Sequence, residues 1–197
     1  SFTFWVLYRS LFQFPVWFDE TIGKALFFGV PVWLYMSMTG FMGPADGFSP
    51  RKLQTGILQG LAFGGSFGFI AAITSLAAKG QGVVAAPLFQ SPEFWYQFML
   101  ALFTGFWESL FFYGLVMLVI EAMLPKLDIS FHVLLAAIIF VIFHVPNLIL
   151  QAQFEALPGY IFLVGMFAIG QGFIFSRNKN LYALTVVHAI WGMVLFV

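Results

Sequence analysis

The feature that most limits how this chain can fold is its succession of long apolar stretches with very few charges. The longest runs from Glu93 to Leu124, and after Glu93 only Glu108 and Glu121 carry a charge. A membrane-spanning helix needs about 20 mostly apolar residues, because the hydrocarbon core of a bilayer is about 30 Å thick. Over the whole chain 61% of the residues are hydrophobic and 8% are charged. A soluble domain carries about 25% charged residues, so the sequence predicts an integral membrane protein.

Six stretches reach or approach the length of a membrane span, and Pro, Gly or charged residues bound each of them. They cover residues 25–41, 53–78, 93–124, 130–145, 159–175 and 181–197. The residues before Ala25 include Arg9 among many aromatics, and we expect an interfacial helix there because a full span would bury that arginine. The alternative is a seventh span. The predicted fold is therefore all-α, a single integral membrane domain over residues 1–197 with six or seven transmembrane helices.

Charge and cysteine content exclude several classes of function. Eight basic side chains balance eight acidic ones, so the chain lacks the basic surface that nucleic acids require. The absence of cysteine excludes disulfides, thiolate metal ligands and a cysteine nucleophile. We expect no nucleic acid among the partners. The expected partners are membrane lipids, together with a peptide or membrane-protein substrate or with partner membrane subunits.

Glycines recur at every fourth position in the second stretch, at Gly56, Gly60, Gly64 and Gly68. This spacing puts them on one face of a helix, where a neighbouring backbone can approach closely. The pattern favours packing inside the bundle. The alternative is a cofactor or pigment lying on that smooth face.

Three titratable side chains lie deep in three different apolar stretches: Glu108, His144 and His188. A charged carboxylate in the middle of a span costs about 2.5–3.5 kcal/mol, so Glu108 must be protonated, paired or close to water. Helical bundles build sites from inward side chains on facing helices. One glutamate and two histidines suit proton transfer or metal ligation, and we expect the three side chains to converge.

The order of these residues carries a resemblance to a known family. Glu108 opens the sequence "ESLFFYG", Phe140 and His144 form a Phe-x-x-x-His motif, and His188 follows in the last stretch. The pattern resembles the CAAX protease and bacteriocin-processing family (CPBP, also called Abi), which includes prenyl-protein endopeptidases. The resemblance covers about residues 94–197.

The chain departs from the family motifs at three positions. Ser109 and Tyr113 stand where the family has a second Glu and an Arg, and a hydrogen bond between these two side chains could hold the same face of the helix. Gly192 stands where the family has an Asn, which would be an amide donor for an oxyanion. Asn147 is a candidate substitute for that amide, although its position behind Pro146 favours a cap or turn residue.

The resemblance implies an intramembrane endopeptidase that hydrolyses a peptide bond with water activated by Glu108. His144 would assist, and His188 would stabilise the developing oxyanion. The implied mechanism uses no cofactor; the alternative is Zn²⁺ held by the same three residues with an open water position.

A second class of function stays open, because the first and third motifs are substituted. The chain would then be a non-catalytic family member that serves as a scaffold, an assembly factor or a small subunit of a larger membrane complex. A transporter is disfavoured because the sequence shows no inverted repeat and no paired broken helices.

Overall fold

Every regular element is a helix in the computed structural model, which describes residues 2–79, 92–150 and 157–195. The predicted all-α membrane bundle is confirmed. In chain order the helices are α1 (Phe2–Leu11), α2 (Val16–Thr39), α3 (Gly43–Gly47), α4 (Leu53–Lys79), α5 (Phe94–Met123), α6 (Ile129–Leu150), α7 (Leu157–Asn178) and α8 (Leu181–Leu195).

Four helices in these ranges are long and apolar enough to cross a membrane, judged by length and composition: α2, α5, α6 over Ile129–Pro146, and α7. The apolar part of α8, Leu181–Met193, is shorter. The described residues of all six predicted stretches are almost entirely helical. That α4 and α8 also cross the membrane stays a prediction.

The first span begins earlier than the sequence suggested. We expected residues 16–24 to belong to an interfacial helix, but α2 starts at Val16 and only α1 is a separate N-terminal helix. The prediction was wrong because Lys24 was taken as the edge of the span. In the structure Lys24 is 6% exposed and carboxylates surround its ammonium group, so the charge is accommodated inside the bundle.

The fourth predicted span is also longer than expected. Helix α6 continues through Pro146 to Leu150, so Asn147 lies within a helix rather than at its end. A proline inside a helix removes one backbone hydrogen bond without necessarily ending the helix. The side chain of Asn147 lies outside the described residues, and its expected role as a substitute amide stays untested.

The glycine face of α4 packs against α8, as the spacing of the glycines predicted. A Cβ atom added at Gly56 would lie 2.6 Å from Cβ of Tyr182, and one added at Gly60 would lie 2.5 Å from Cβ of Val186. Real Cβ atoms do not come so close, so only glycine permits this approach of the two helices.

Helix α5 lies in the centre of the core. Phe112, Tyr113 and Met117 have no exposed surface, and side chains of α2, α6, α7 and α8 pack around this part of the helix. The outer faces carry exposed large apolar side chains, among them Phe4, Trp33, Trp95 and Phe162. An apolar exterior of this extent fits contact with lipid rather than with water.

Candidate active site

The structure brings together the three side chains that the sequence singled out. Oε2 of Glu108 lies 3.4 Å from Nε2 of His144 and 3.3 Å from Nε2 of His188. These residues come from α5, α6 and α8. Glu108 is 3% exposed and His188 7%, whereas the side chain of His144 is 18% exposed. The site is therefore buried in the bundle and is most accessible beside His144.

Phe140 fixes the orientation of His144. Nδ1 of His144 lies 2.8 Å from the backbone carbonyl oxygen of Phe140, and the two rings stack with centroids 4.2 Å apart. Because a carbonyl oxygen can only accept, Nδ1 carries the hydrogen of this bond. Nε2 of a neutral His144 is then a hydrogen-bond acceptor directed at Glu108. The Phe-x-x-x-His spacing thus sets both the position and the tautomer of the histidine.

A close approach of α5 and α8 brings His188 to the carboxylate. A Cβ atom at Gly105 would lie 2.7 Å from the backbone oxygen of Thr185 and 3.0 Å from Cβ of His188. The ring of His188 packs edge-on against Phe167, with centroids 5.3 Å apart. Gly105 lies about one turn before Glu108, so this contact sets the distance between the carboxylate and His188. The sequence analysis did not identify Gly105.

Lys24 of α2 is the site residue that sequence reasoning missed. Its Nζ atom lies 2.6 Å from Oε1 of Glu108 and 2.6 Å from Oε2 of Glu20. The hydroxyl of Thr104 donates a hydrogen bond to the same oxygen of Glu20. A signal was available, since Glu20 and Lys24 form an i, i+4 pair next to an apolar run. We call Glu20, Lys24, Glu108, His144 and His188 the site cluster.

Wide, π-helical turns adjoin both Lys24 and Glu108, which form the buried ion pair. π-Helical turns over Asp19–Gly23 and Ala25–Gly29 flank Lys24 in α2. In α5 a π-helical segment, Ser109–Met117, begins immediately after Glu108. Such turns are rare in proteins and are frequent at functional sites.

The substituted motif positions do not form the expected hydrogen bond. The hydroxyl of Tyr113 donates to the backbone oxygen of Ala168 in α7, at 2.8 Å, and not to Ser109. Ser109 is fully buried, and its hydroxyl has no hydrogen-bond partner among the described residues. The expectation was wrong, because Tyr113 directs its hydroxyl to the backbone of Ala168 and so ties α5 to α7. At Gly192, an added Cβ atom would make an ordinary contact of 3.7 Å with Ala101.

The zinc alternative stays a prediction, and two features of the site bear on it. Within the described ranges no group of three His, Cys, Asp or Glu side chains is arranged to hold a metal ion. The ammonium group of Lys24 already lies against the carboxylate of Glu108. A cation placed on that carboxylate would be repelled by this neighbour.

Comparison with known families assigns the chain. The family model described as type II CAAX prenyl endopeptidase Rce1-like matches residues 90–194. The matched segment contains Glu108, His144 and His188 and covers more than half of the 197 residues. No curated protein and no solved structure matches the chain. The resemblance seen in the motifs is confirmed, and this membrane protein belongs to the type II CAAX prenyl endopeptidase Rce1-like family.

Proposed function

We propose that this protein is an intramembrane endopeptidase in which Glu108 activates the attacking water. The observation that supports the proposal most directly is the convergence of two imidazole Nε2 atoms on one carboxylate oxygen, at 3.3 and 3.4 Å. These separations exceed a direct hydrogen bond. The groups are too close for a water molecule to lie between them, so the attacking water would bind beside them, within reach of the carboxylate and the His144 ring. Membership of a peptidase family adds to this argument.

In the first step, Glu108 acts as the general base. A water molecule donates one hydrogen bond to Oε2 of Glu108 and the other to Nε2 of His144, which is an acceptor in the tautomer fixed by Phe140. The water oxygen attacks the carbonyl carbon of the scissile peptide bond while its proton passes to Oε2. The carbonyl double bond opens, and its electron pair becomes the oxyanion of a tetrahedral intermediate.

His188 stabilises that oxyanion in this scheme. Its Nδ1 atom has no hydrogen-bond partner among the described residues, so no protein acceptor fixes the hydrogen there. In the tautomer with hydrogen on Nε2, His188 donates to the oxyanion from a buried position, where such a bond is strong. The intermediate then collapses, the C–N bond breaks, and the proton on Glu108 passes to the leaving nitrogen. The products are a carboxylic acid and an amine.

The burial of the site favours a substrate that reaches it through the bundle. Among Glu108, His144 and His188, His144 has the most exposed side chain. The scissile bond would therefore approach the site beside His144. The family description concerns prenyl endopeptidases. Paired peptides of one sequence, with and without an isoprenoid on a cysteine near the C-terminus, test whether a prenyl group is needed here.

A non-catalytic role remains the second candidate, and one observation favours it. Lys24 and Glu108 form a buried ion pair that joins α2 to α5, which is also how a purely structural contact would look. Such a protein would act as a scaffold, an assembly factor or a small subunit of a membrane complex. Its function would depend on the stability of the pair and not on the chemistry of Glu108.

The decisive experiment compares Glu108→Gln with Glu121→Gln, both in purified protein in lipid nanodiscs. Both residues lie on α5 and both pair with a lysine, but Glu121 lies at the far end of the helix. Loss of a general base lowers turnover by about 10²–10⁴-fold. We expect that loss for Glu108→Gln only, with cleavage insensitive to metal chelators. A wild-type protein that cleaves none of the paired peptides or native membrane substrates would favour the non-catalytic role.

A further inference from the structure

Two pairs of residues face each other where α2 and α5 run side by side. Glu20 and Lys24 are four residues apart on α2, and Thr104 and Glu108 are four residues apart on α5. Thr104 bonds to Glu20, and Lys24 bonds to Glu108 at 2.6 Å. Because both members of each pair lie on one helix face, the two contacts lock the helices in register. This arrangement joins the carboxylate to a helix outside the family-matched segment.

We propose that Lys24 is the positioning residue of the site: by holding Oε1 of Glu108, it directs Oε2 at both imidazoles. This inference rests on the proposed function for its catalytic consequence. The ion pair and the two histidine contacts use different oxygens of the same carboxylate. Since the two oxygens are fixed relative to each other, holding one orients the other.

The neighbouring side chains on α5 cannot take this role. Tyr113 directs its hydroxyl away to the backbone of Ala168, and Ser109 makes no hydrogen bond to a described residue. Neither carries a positive charge. Lys24 supplies both the charge and the hydrogen bond that a buried carboxylate needs, since a buried charge without a partner is strongly unfavourable.

Lys24 is itself held in place. Its ammonium group bridges two carboxylates, and Glu20, the outer one, accepts a hydrogen bond from Thr104. Its side chain is 7% exposed. A lysine restrained from both sides keeps one geometry, which is the condition for positioning a catalytic group within a fraction of an ångström. The active site is thus completed by α2, although the family match begins at residue 90.

The chain offers a direct probe of this geometry, because it has three histidines in all. His132 lies 12 residues before His144 on α6, and its Nε2 contacts the backbone oxygen of Leu124 at 2.9 Å. It therefore serves as an internal reference. The experiment records imidazole signals by NMR on [¹⁵N]histidine-labelled protein in nanodiscs, with signals assigned by replacing each histidine in turn.

The variants are Lys24→Met, Lys24→Arg and the matched control Lys179→Met, which breaks an ion pair at the other end of α5. We expect both Lys24→Met and Glu108→Gln to shift the signals of His144 and His188 and to leave the signal of His132 unchanged. Lys24→Arg should restore the wild-type signals in large part. If Lys24→Met does not fold, Lys24→Met with Glu20→Gln removes the cation together with one of the carboxylates that it neutralises.

Turnover gives the second readout. Misplacement of a catalytic group by about 1 Å costs about 100-fold, so we expect Lys24→Met to lower kcat by that factor with little change in KM. Wild-type histidine signals in a folded Lys24→Met protein, or unchanged or faster cleavage, would overturn the positioning role. If the wild type cleaves no substrate, the proposed function fails, while the histidine signals still decide whether Lys24 orients Glu108.

Discussion

The bundle contains two polar clusters that differ in how completely their hydrogen bonds are satisfied. The first is the site cluster. The second, which we call the loop cluster, lies where α5 and α7 end and α4 and α8 begin, and consists of Lys52, Gln59, Glu121, Asn178, Lys179 and Asn180. In each, a lysine from another part of the chain pairs with a glutamate of α5. They differ in burial, since the paired side chains are 7% and 4% exposed in the site cluster and 35% and 21% exposed in the loop cluster.

The loop cluster uses its polar atoms for structure. Asn180 accepts hydrogen bonds from the backbone N–H groups of Tyr182 and Ala183 at the start of α8, and it donates one to the backbone oxygen of Lys52. Lys179 contacts both carboxylate oxygens of Glu121. This pattern is typical of a helix end whose backbone groups need partners.

In the site cluster, by contrast, polar atoms remain without protein partners in the described part of the chain. Oε2 of Glu108 and Nδ1 of His188 are buried and make no hydrogen bond. Buried polar groups are normally bonded, so each exception needs an explanation. Under the proposed function, these free atoms are the ones that bind the water and the substrate. The two clusters therefore differ in that the site cluster keeps buried polar atoms free for the substrate that the proposed function requires.

The largest difference between the clusters should appear in the free energy of unfolding that each loses when its lysine is replaced. Lys24→Met leaves two carboxylates without their cation inside the bundle, and breaking a buried pair in this way costs about 3–5 kcal/mol. Lys179→Met removes a partly exposed pair, which contributes about 0–1 kcal/mol. Thermal or denaturant unfolding of the two variants in the same lipid measures both effects. Equal losses would show that burial does not distinguish the clusters.

The next effect concerns turnover and compares two histidines. His188→Leu removes the donor that we assign to the oxyanion, and loss of one such donor lowers kcat by about 10²–10³-fold. His132→Leu, near the loop cluster, removes one structural hydrogen bond, which contributes about 0.5–1.5 kcal/mol. We therefore expect a stability loss without a change in kcat for His132→Leu. A kcat that falls equally in both variants would contradict the role of His188.

A third comparison uses glycines on helices near the site. Gly105→Ala pushes a methyl group to 2.7 Å from the backbone of α8, whereas an added Cβ at Gly65 meets nothing within 4 Å. Overpacking of this kind costs about 1–3 kcal/mol and displaces the helices. We expect Gly105→Ala to lower both stability and turnover, because it separates His188 from Glu108. Gly65→Ala is the matched control, and it should change neither. Full activity in Gly105→Ala would show that the close contact does not set the site geometry.

The sequence predicted most of the fold because hydrophobicity dominates it. Apolar stretches of sufficient length have no other stable arrangement in lipid than a helix, so the membrane helices could be located without a structure. The start of α2 was misplaced for a physical reason. A charge normally marks the end of a span, and nothing in the local sequence states that Glu108, 84 residues away, neutralises Lys24.

The site could be predicted only in part, for a similar reason. Glu108, His144 and His188 stood out because a titratable side chain deep in an apolar stretch is unusual. Lys24 and Gly105 contribute through contacts between helices, and neither residue type is unusual at its position in the sequence. The π-helical turns beside them also arise from packing. Local sequence therefore identifies the candidate reactive groups but not the residues that we propose as their positioning contacts.

The smallest expected effect belongs to the loop between α5 and α6, next to the loop cluster. Oδ1 of Asp128 accepts a hydrogen bond of 2.8 Å from the backbone N–H of Ser130 in the first turn of α6. This bond from the Ser130 backbone lowers the pKa of Asp128 below its ordinary value. A lowered pKa in the folded state means that the ionised side chain stabilises the fold above about pH 4, the ordinary value for Asp. The contribution is lost as the pH falls through the lowered pKa.

We therefore expect Asp128→Ala to lower Tm slightly at pH 7, whereas Asp128→Asn, which keeps an acceptor oxygen, should lower it less. The difference in Tm between wild type and Asp128→Asn should shrink as the pH falls below 4. Protonation of Asp128 then removes the charge that distinguishes the two side chains. Melting curves of the three proteins between pH 3 and 7 check both expectations. Cleavage at pH 7 should be unchanged in both variants, since Asp128 lies in the loop before α6 and His144 lies 16 residues further along the chain. A loss of turnover in Asp128→Asn would mean that the loop end and the site are coupled, and the separation of the two clusters would then be wrong.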